Sequence, residues 1–218
     1  MNKIVIGNWK MNMLPSESVE FIKELDKNNF NNEVIILAPF INLPYLRSDK
    51  IKFGSQNVFY KNKGSYTGEI SPLMLKDINI NYCLIGHFER RRYFNEDDNM
   101  ILLKVKNAIE EGLTVILCVN SIERLKNNTL GIKDYNKLIV AFEPDDFIGG
   151  NKVVSKKVIE DFIIDAKKLL SNDIKVVYGG GITINNLDSI KEIDSLDGIL
   201  IGNSSLNIDT FKEIIEKY

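Results

Sequence analysis

The sequence holds one histidine, His87, which closes the apolar run Tyr82-Cys83-Leu84-Ile85-Gly86 and precedes Phe88-Glu89-Arg90-Arg91-Arg92. A run of that kind reads as a buried strand, so His87 falls at the strand's carboxyl end. For a lone histidine, a hydrogen-bonding strand cap is the first reading; reactive residues at other strand ends are needed to make it a catalytic candidate. Such residues are present. Lys3-Ile4-Val5-Ile6-Gly7 runs into Asn8-Trp9-Lys10, which adds an amide and an ammonium. Leu138-Ile139-Val140-Ala141-Phe142 runs into Glu143-Pro144, where the proline stops the strand and leaves a carboxylate at its end. Val176-Val177-Tyr178 and Ile199-Leu200-Ile201 lead into Gly179-Gly180-Gly181 and Gly202-Asn203-Ser204, glycine turns whose backbone amides can approach an anion closely. A carboxylate near an imidazole and a lysine, facing an anion cradle, suits proton transfer at a carbon beside a carbonyl. Lys10 reads as a fixed positive charge rather than a Schiff-base nucleophile, because no second cation neighbours it in sequence. No Gly-x-Ser-x-Gly nucleophile turn stands at any of these ends.

These residues can meet only if their strands converge. Apolar strand candidates recur at 3–8, 34–39, 51–58, 82–87, 114–119, 138–143, 175–179 and 198–202. Amphipathic segments separate most of them. Ser16 to Asn28 keeps Val19, Phe21, Ile22 and Leu25 on roughly one face, with Ser16 as its expected N-cap. Residues 96–111, 155–171, 185–193 and 207–216 have the same character, and Gly112 is a natural helix stop. Short helices are expected near 42–48 and 71–77, no long one fills 120–137, and Asn127-Asn128-Thr129 reads as a loop or helix end. Strand-then-helix alternation repeated eight times over residues 1–218 is the pattern of a single-domain α/β fold, the (β/α)8 barrel. An open doubly wound sheet is the alternative, but Gly7 lacks the companion glycines of a dinucleotide-binding turn.

With 44% hydrophobic and 27% charged residues, the chain has the composition of an ordinary globular protein. A formal net charge of -2 and a pI near 5.6 give no electrostatic case for nucleic acid, so an anionic ligand would need local positive charge. No apolar stretch is long enough for a membrane helix and no secretory leader pattern is visible, so a cytoplasmic location is expected. Cys83 and Cys118 lie far apart within strand candidates and read as buried free thiols. One histidine and two isolated cysteines offer no zinc-ligand spacing, and no metal is implied.

Read together, Asn8-Trp9-Lys10-Met11-Asn12, Gln56-Asn57-Val58, Gly64-Ser65-Tyr66-Thr67-Gly68-Glu69-Ile70-Ser71-Pro72, Gly86-His87-Phe88-Glu89-Arg90-Arg91, Ala141-Phe142-Glu143-Pro144 and Tyr178-Gly179-Gly180 resemble the triosephosphate isomerase family. The resemblance runs from Asn8 to Leu206. It implies a TIM barrel that interconverts dihydroxyacetone phosphate and D-glyceraldehyde 3-phosphate without a cofactor. Glu143 would be the base and His87 a neutral electrophile kept so by the helix begun after it, with Lys10 and Asn8 at the enediolate oxygens. Amides around Gly149, Gly181, Gly202 and Asn203 would bind the phosphate. Residues 144–151 would form a closing lid, and residues 64–71 would enter a neighbouring subunit of a homodimer, with Thr67 near that subunit's Asn8. Glu89 and Arg90 read as a structural ion pair.

Several positions depart from the family pattern. Asp145-Asp146 stands where an aliphatic residue and tryptophan are usual in the lid hinge, and two carboxylates there are expected to make closure more costly. Phe88 replaces a serine, Gly181 a serine, Asn203 a glycine, and Asn120-Ser121 a Gly-Glu pair, while a shortened run from there to strand six puts the fifth helix in doubt. The rival readings are a phosphometabolite-binding barrel with a drifted lid and an aldolase-like barrel. A pure binder has no need of Glu143, and the aldolase would need a lysine near the end of strand six, where Lys137 instead precedes the strand.

Overall fold

The computed structural model describes residues 2–218. Its strands are β1 (Ile4–Asn8), β2 (Glu33–Ala38), β3 (Lys52–Ser55), β4 (Tyr82–Ile85), β5 (Thr114–Val119), β6 (Leu138–Phe142), β7 (Lys175–Tyr178) and β8 (Gly198–Ile201). All pair in parallel in that order, and β1 closes on β8 through Ile4↔Gly198 to Gly7↔Ile201. The result is a (β/α)8 barrel, the architecture read from the sequence.

Strand periodicity sorts the apolar residues into two layers. Ile4 and Ile6, Ile35 and Leu37, Ile116 and Cys118, and Ile139 and Ala141 point into the barrel and pack on one another with Leu84, Val177 and Leu200. Their neighbours, among them Val5, Ile36, Val115, Val140 and Ile199, face outward onto the helices. Continuing the inward set by two residues reaches Asn8 on β1, Glu143 after β6, Gly179 after β7 and Gly202 after β8. The alternation that fills the core therefore also aims Asn8 and Glu143 at the mouth of the barrel.

The helices are α1 (Pro15–Leu25), α2 (Pro72–Asp77), α3 (Phe88–Phe94), α4 (Asp98–Glu110), α5 (Ile122–Asn128), α6 (Lys156–Leu169), α7 (Leu187–Lys191) and α8 (Ile208–Lys217). A 3-10 turn at Leu43–Tyr45 stands in place of a helix between β2 and β3. Ser16 is not the cap of α1: Pro15 occupies the first helical turn, and the Glu17 carboxylate accepts the Leu14 N–H at 2.7 Å. The segment 96–111 begins as a helix only at Asp98, because the Asp97 carboxylate caps α4 through Met100 N. The fifth helix is present but short, and Ser121 caps it through Arg124 N. Among the described residues no helix is long and apolar enough to cross a membrane.

Arg91 ties the short α5 to the barrel. Its guanidinium donates to the Gly86 carbonyl after β4 at 2.7 Å and to the Cys118 carbonyl on β5 at 3.3 Å. It also donates to Asp98 of α4 and Asn128 of α5, each at 2.7 Å. Burial alone would raise the Asp98 carboxyl, but bonds from Asn128 and Arg91 outweigh it and hold the group below the usual carboxylate range.

The seam between β1 and β8 has no spare room, since a β-carbon at Gly198 would overlap the Ile4 carbonyl oxygen. Backbone cannot yield there as a side chain could. Gly198→Ala is expected to cost about 1–3 kcal/mol, read as a lower urea midpoint with an unchanged slope.

Candidate active site

Seven of the residues singled out from sequence line one cavity at the carboxyl ends of the strands: Lys10, His87, Glu143, Gly149, Gly181, Gly202 and Asn203. Asn8 does not. It lines an adjoining groove that shares Lys10 and His87 with the cavity.

The loop after β1 turns on Trp9, which is fully buried among the helices and donates from its indole Nε1 to the Ser205 carbonyl at 3.2 Å. That anchor leaves Asn8 and Lys10 at the mouth. Lys10 has φ 53, a left-handed conformation unusual for a residue with a β-carbon. Two bonds hold it there. The Asn8 Oδ1 accepts the Lys10 N–H at 3.1 Å, and the Gln56 amide donates to the Lys10 carbonyl at 2.9 Å. Gln56 also donates to the Leu37 carbonyl at 2.9 Å, so it fixes the loop against β2. Nothing in local spacing foretells this task for Gln56, whose contact reaches across 46 residues.

His87 precedes α3 and caps it, with Nδ1 accepting the Glu89 N–H at 3.3 Å. An acceptor nitrogen carries no proton, so Nε2 is the ring nitrogen that can present one to the cavity. Nε2 lies 3.7 Å from Glu143 Oε1. Both side chains are almost fully buried, at 5% and 3% exposure. Gly179 leaves the space for this carboxylate, since a β-carbon there would come within 2.9 Å of Glu143 Cγ. The thiol of Cys118 also lies beside Glu143; burial first, and then that carboxylate, push it well above its ordinary pKa and keep it protonated.

Glu89 does not pair with Arg90. Its carboxylate takes the Lys10 ammonium at 2.8 Å, while Arg90 donates to Glu96 at 2.6 Å and Glu96 also accepts from the buried Lys104 at 2.6 Å. Adjacent residues on a helix point to different sides, so Glu89 turns to Lys10 at the mouth and Arg90 to Glu96 just before α4.

Residues 144–154 cross the cavity. A 3-10 turn at Asp145–Phe147 begins the crossing, and the Val154 N–H bonded to Tyr178 Oη at 3.1 Å ends it. Asn186 links the crossing to the glycine turn after β7, donating to the carbonyls of Asn151 at 3.2 Å and Gly181 at 2.9 Å. Gly181 has φ 57, and a β-carbon there would overlap the Lys152 carbonyl oxygen. Glycine is thus required at 181 for the segment to lie where it does. Asn203 takes no left-handed conformation and simply opens the 3-10 turn Asn203–Ser205, so its β-carbon is tolerated. Neither Asp145 nor Asp146 lines the cavity. Asp145 lies instead on the β5 side of Glu143, and Asp146 is exposed.

A family model described as triosephosphate isomerase matches residues 3–218. The chain is 35% identical to the triosephosphate isomerase of Trichodesmium erythraeum (strain IMS101), with 97% of each chain covered. It is 35% identical to that of Thermodesulfovibrio yellowstonii, with 98% of each covered, and 34% identical to that of Dictyoglomus thermophilum, again with 98% of each.

Gly181→Ala sets a β-carbon against the Lys152 backbone and adds the left-handed cost of about 1–2 kcal/mol. Amide hydrogen exchange across residues 149–154 is expected to quicken about tenfold, with exchange in the barrel strands unchanged.

Proposed function

The chain belongs to the triosephosphate isomerase family, and from that premise we propose residue roles for the reaction it carries out. It interconverts dihydroxyacetone phosphate and D-glyceraldehyde 3-phosphate by proton transfer through an enediolate. Glu143 removes a proton from the carbon beside the carbonyl and returns it to the neighbouring carbon. His87, through Nε2–H, polarises the carbonyl oxygen and serves the oxygen as charge builds there. Lys10 offsets charge on the enediolate and the phosphate, and Asn8 holds the Lys10 loop. Amides near Gly149, Gly181, Gly202 and Asn203 take the phosphate, with the lid of residues 144–151 closing over it. No cofactor enters the proposal, because the reaction moves protons and shifts the carbonyl between neighbouring carbons with no external oxidant or reductant.

The observation that carries this assignment is the buried Glu143 carboxylate 3.7 Å from His87 Nε2, inside a cavity shared with Lys10 and the glycine turns. A base and an electrophile at that separation can flank one reacting two-carbon unit. Lys10 holds Glu89 at 2.8 Å yet still lines the cavity, so its charge is shared between the two. Nothing in the site favours a barrel that only binds phosphometabolites.

The proposal extends to assembly. Residues 63–69 are exposed, with Gly64 at φ 143 and Gly68 at φ 94 shaping a projecting loop closed at its base by Phe59 N to Ile70 O at 2.8 Å. The groove beside Lys10 is lined by Met11, Tyr93 and Phe94, exposed at 97%, 65% and 61%. Such an apolar groove beside the site suits the loop of a second copy, which would make residues 64–71 the core of a homodimer contact. The whole chain then acts as one barrel domain per subunit. A cytoplasmic location is proposed with it, supported by the free thiols at Cys83 and Cys118.

In a coupled assay with glyceraldehyde 3-phosphate, Glu143→Gln is expected to lower kcat about 10³-fold with KM nearly unchanged; wild-type turnover in the variant would remove Glu143 as the base. Thr67→Arg is expected to move the sedimentation coefficient from that of a dimer to that of a monomer. A wild-type chain already monomeric would end the assembly proposal.

A further inference from the structure

Catalysis as assigned above leaves one polar pair beside the site without a task. The Asn120 amide, at the end of β5, donates to Asp145 Oδ2 at 2.8 Å. Asp145 is the first residue of the 3-10 turn from which the lid departs, two residues beyond Glu143. Within that turn the bonds are local, Phe147 N to the Pro144 carbonyl at 3.0 Å and Ile148 N to the Asp145 carbonyl at 3.4 Å. Among the described residues, Asn120 is the only side chain that hydrogen-bonds any of residues 144–150. The far end of the lid is held separately, by Asn186 on Asn151, and the chain just beyond it by Tyr178 on Val154. One tie therefore sets where the near end begins.

The same tie controls a charge. Asp145 and Asn120 line a small cleft behind Glu143 with Cys118, Phe88, Arg91 and Arg124, not the cavity of Lys10 and the glycine turns. The bond fixes the Asp145 carboxylate on the far side of Glu143, in a cleft with Arg91 and Arg124 and apart from the cavity that would take a phosphate dianion.

We propose that Asn120 is a positioning residue for the isomerisation, which by holding Asp145 fixes the hinge from which the lid closes over the enediolate. The inference rests on the reaction assigned above. A loosely seated lid has a chemical consequence besides weaker binding. In an enediolate open to water, the oxygen's electron pair re-forms a carbonyl, the double bond shifts toward the phosphate-bearing carbon, and its C–O bond breaks. Inorganic phosphate leaves with that electron pair, and the enol left behind becomes methylglyoxal. Phosphate released per isomerisation is thus a direct reading of the seal, which a purely structural bond would not move.

The test compares Asn120→Ala, Asp145→Ala, the double variant, and the exchange Asn120→Asp with Asp145→Asn, which restores an amide-to-carboxylate bond with its direction reversed. Each single variant is expected to raise KM about tenfold and phosphate release per turnover by a similar factor, with melting temperature unchanged. The double variant should be no worse than either single one, and the exchange should recover most of the loss. Additive effects, unchanged phosphate release, or losses that simply follow melting temperature would overturn the proposal. Trypsin cleavage after Lys152, followed with inorganic phosphate present, reads the lid without any turnover. Faster cleavage in Asn120→Ala that the exchange reverses supports the hinge role even if the isomerase assignment fails, and equal rates in all variants overturn it.

Discussion

The β1–β8 seam is the constraint on which the mouth of the barrel depends. Closure forces each strand to tilt and to present alternate residues inward, and it does so at every strand only if the last registers with the first. Gly198 meets the Ile4 carbonyl at that seam so closely that no side chain fits. Given this register, Ile4 and Ile6 point inward and so does Asn8; Ile139 and Ala141 point inward and so does Glu143. A slip of one residue at either strand would bury its polar end among helices and turn its core residues out. Asn8 and Glu143 thus continue the periodic pattern of the core, whereas His87, three residues beyond the inward Leu84, is placed by the turn at Gly86 and the start of α3.

Electrostatics at the mouth follow from how few charges are free there. Lys10 is drawn toward Glu89, and Glu89 lies 3.6 Å from His87 Nδ1 while its backbone N–H bonds the same nitrogen. The backbone bond decides the tautomer, because it needs the lone pair on Nδ1. A carboxylate near that nitrogen could otherwise favour a proton on it. With Lys10 occupying one oxygen of Glu89, part of that pull is offset. The left-handed backbone of Lys10, held by Asn8 and Gln56, is what brings its ammonium to this shared position, so local strain is coupled to charge placement.

Strands, and the residues that end them, were legible because their signals are local: an apolar run, then a reactive residue, a proline or a glycine. His87, Glu143, Lys10 and the turns at Gly181 and Gly202 needed nothing more. What was not legible is whatever depends on two distant segments. Glu89 beside Arg90 looks like an ion pair in one dimension, whereas the helix begun at Phe88 sends the two side chains to Lys10 and Glu96. Gln56, Arg91, Tyr178 and Asn186 act across the fold, on backbone carbonyls and amides that carry no sequence mark of their own. Residues 96–111 read as one helix because amphipathic period continues through the cap, while the Asp97 side chain is what stops the backbone from following.

The departures from the family pattern show the same limit from another side. Taken singly, Asp145-Asp146 is a charged hinge and Gly181 a lost hydroxyl. In the fold each has a counterpart: Asp145 meets the Asn120 amide, and Gly181 meets the Lys152 carbonyl where any β-carbon would intrude. A carboxylate with a donor at 2.8 Å is in a different physical state from a bare one near a phosphate, since its interaction is satisfied locally and its direction fixed. Only Asp145 has gained such a partner, since Asp146 stays exposed. At Asp145 a position where an aliphatic residue is usual has instead taken a directional bond, and that bond depends on a single donor.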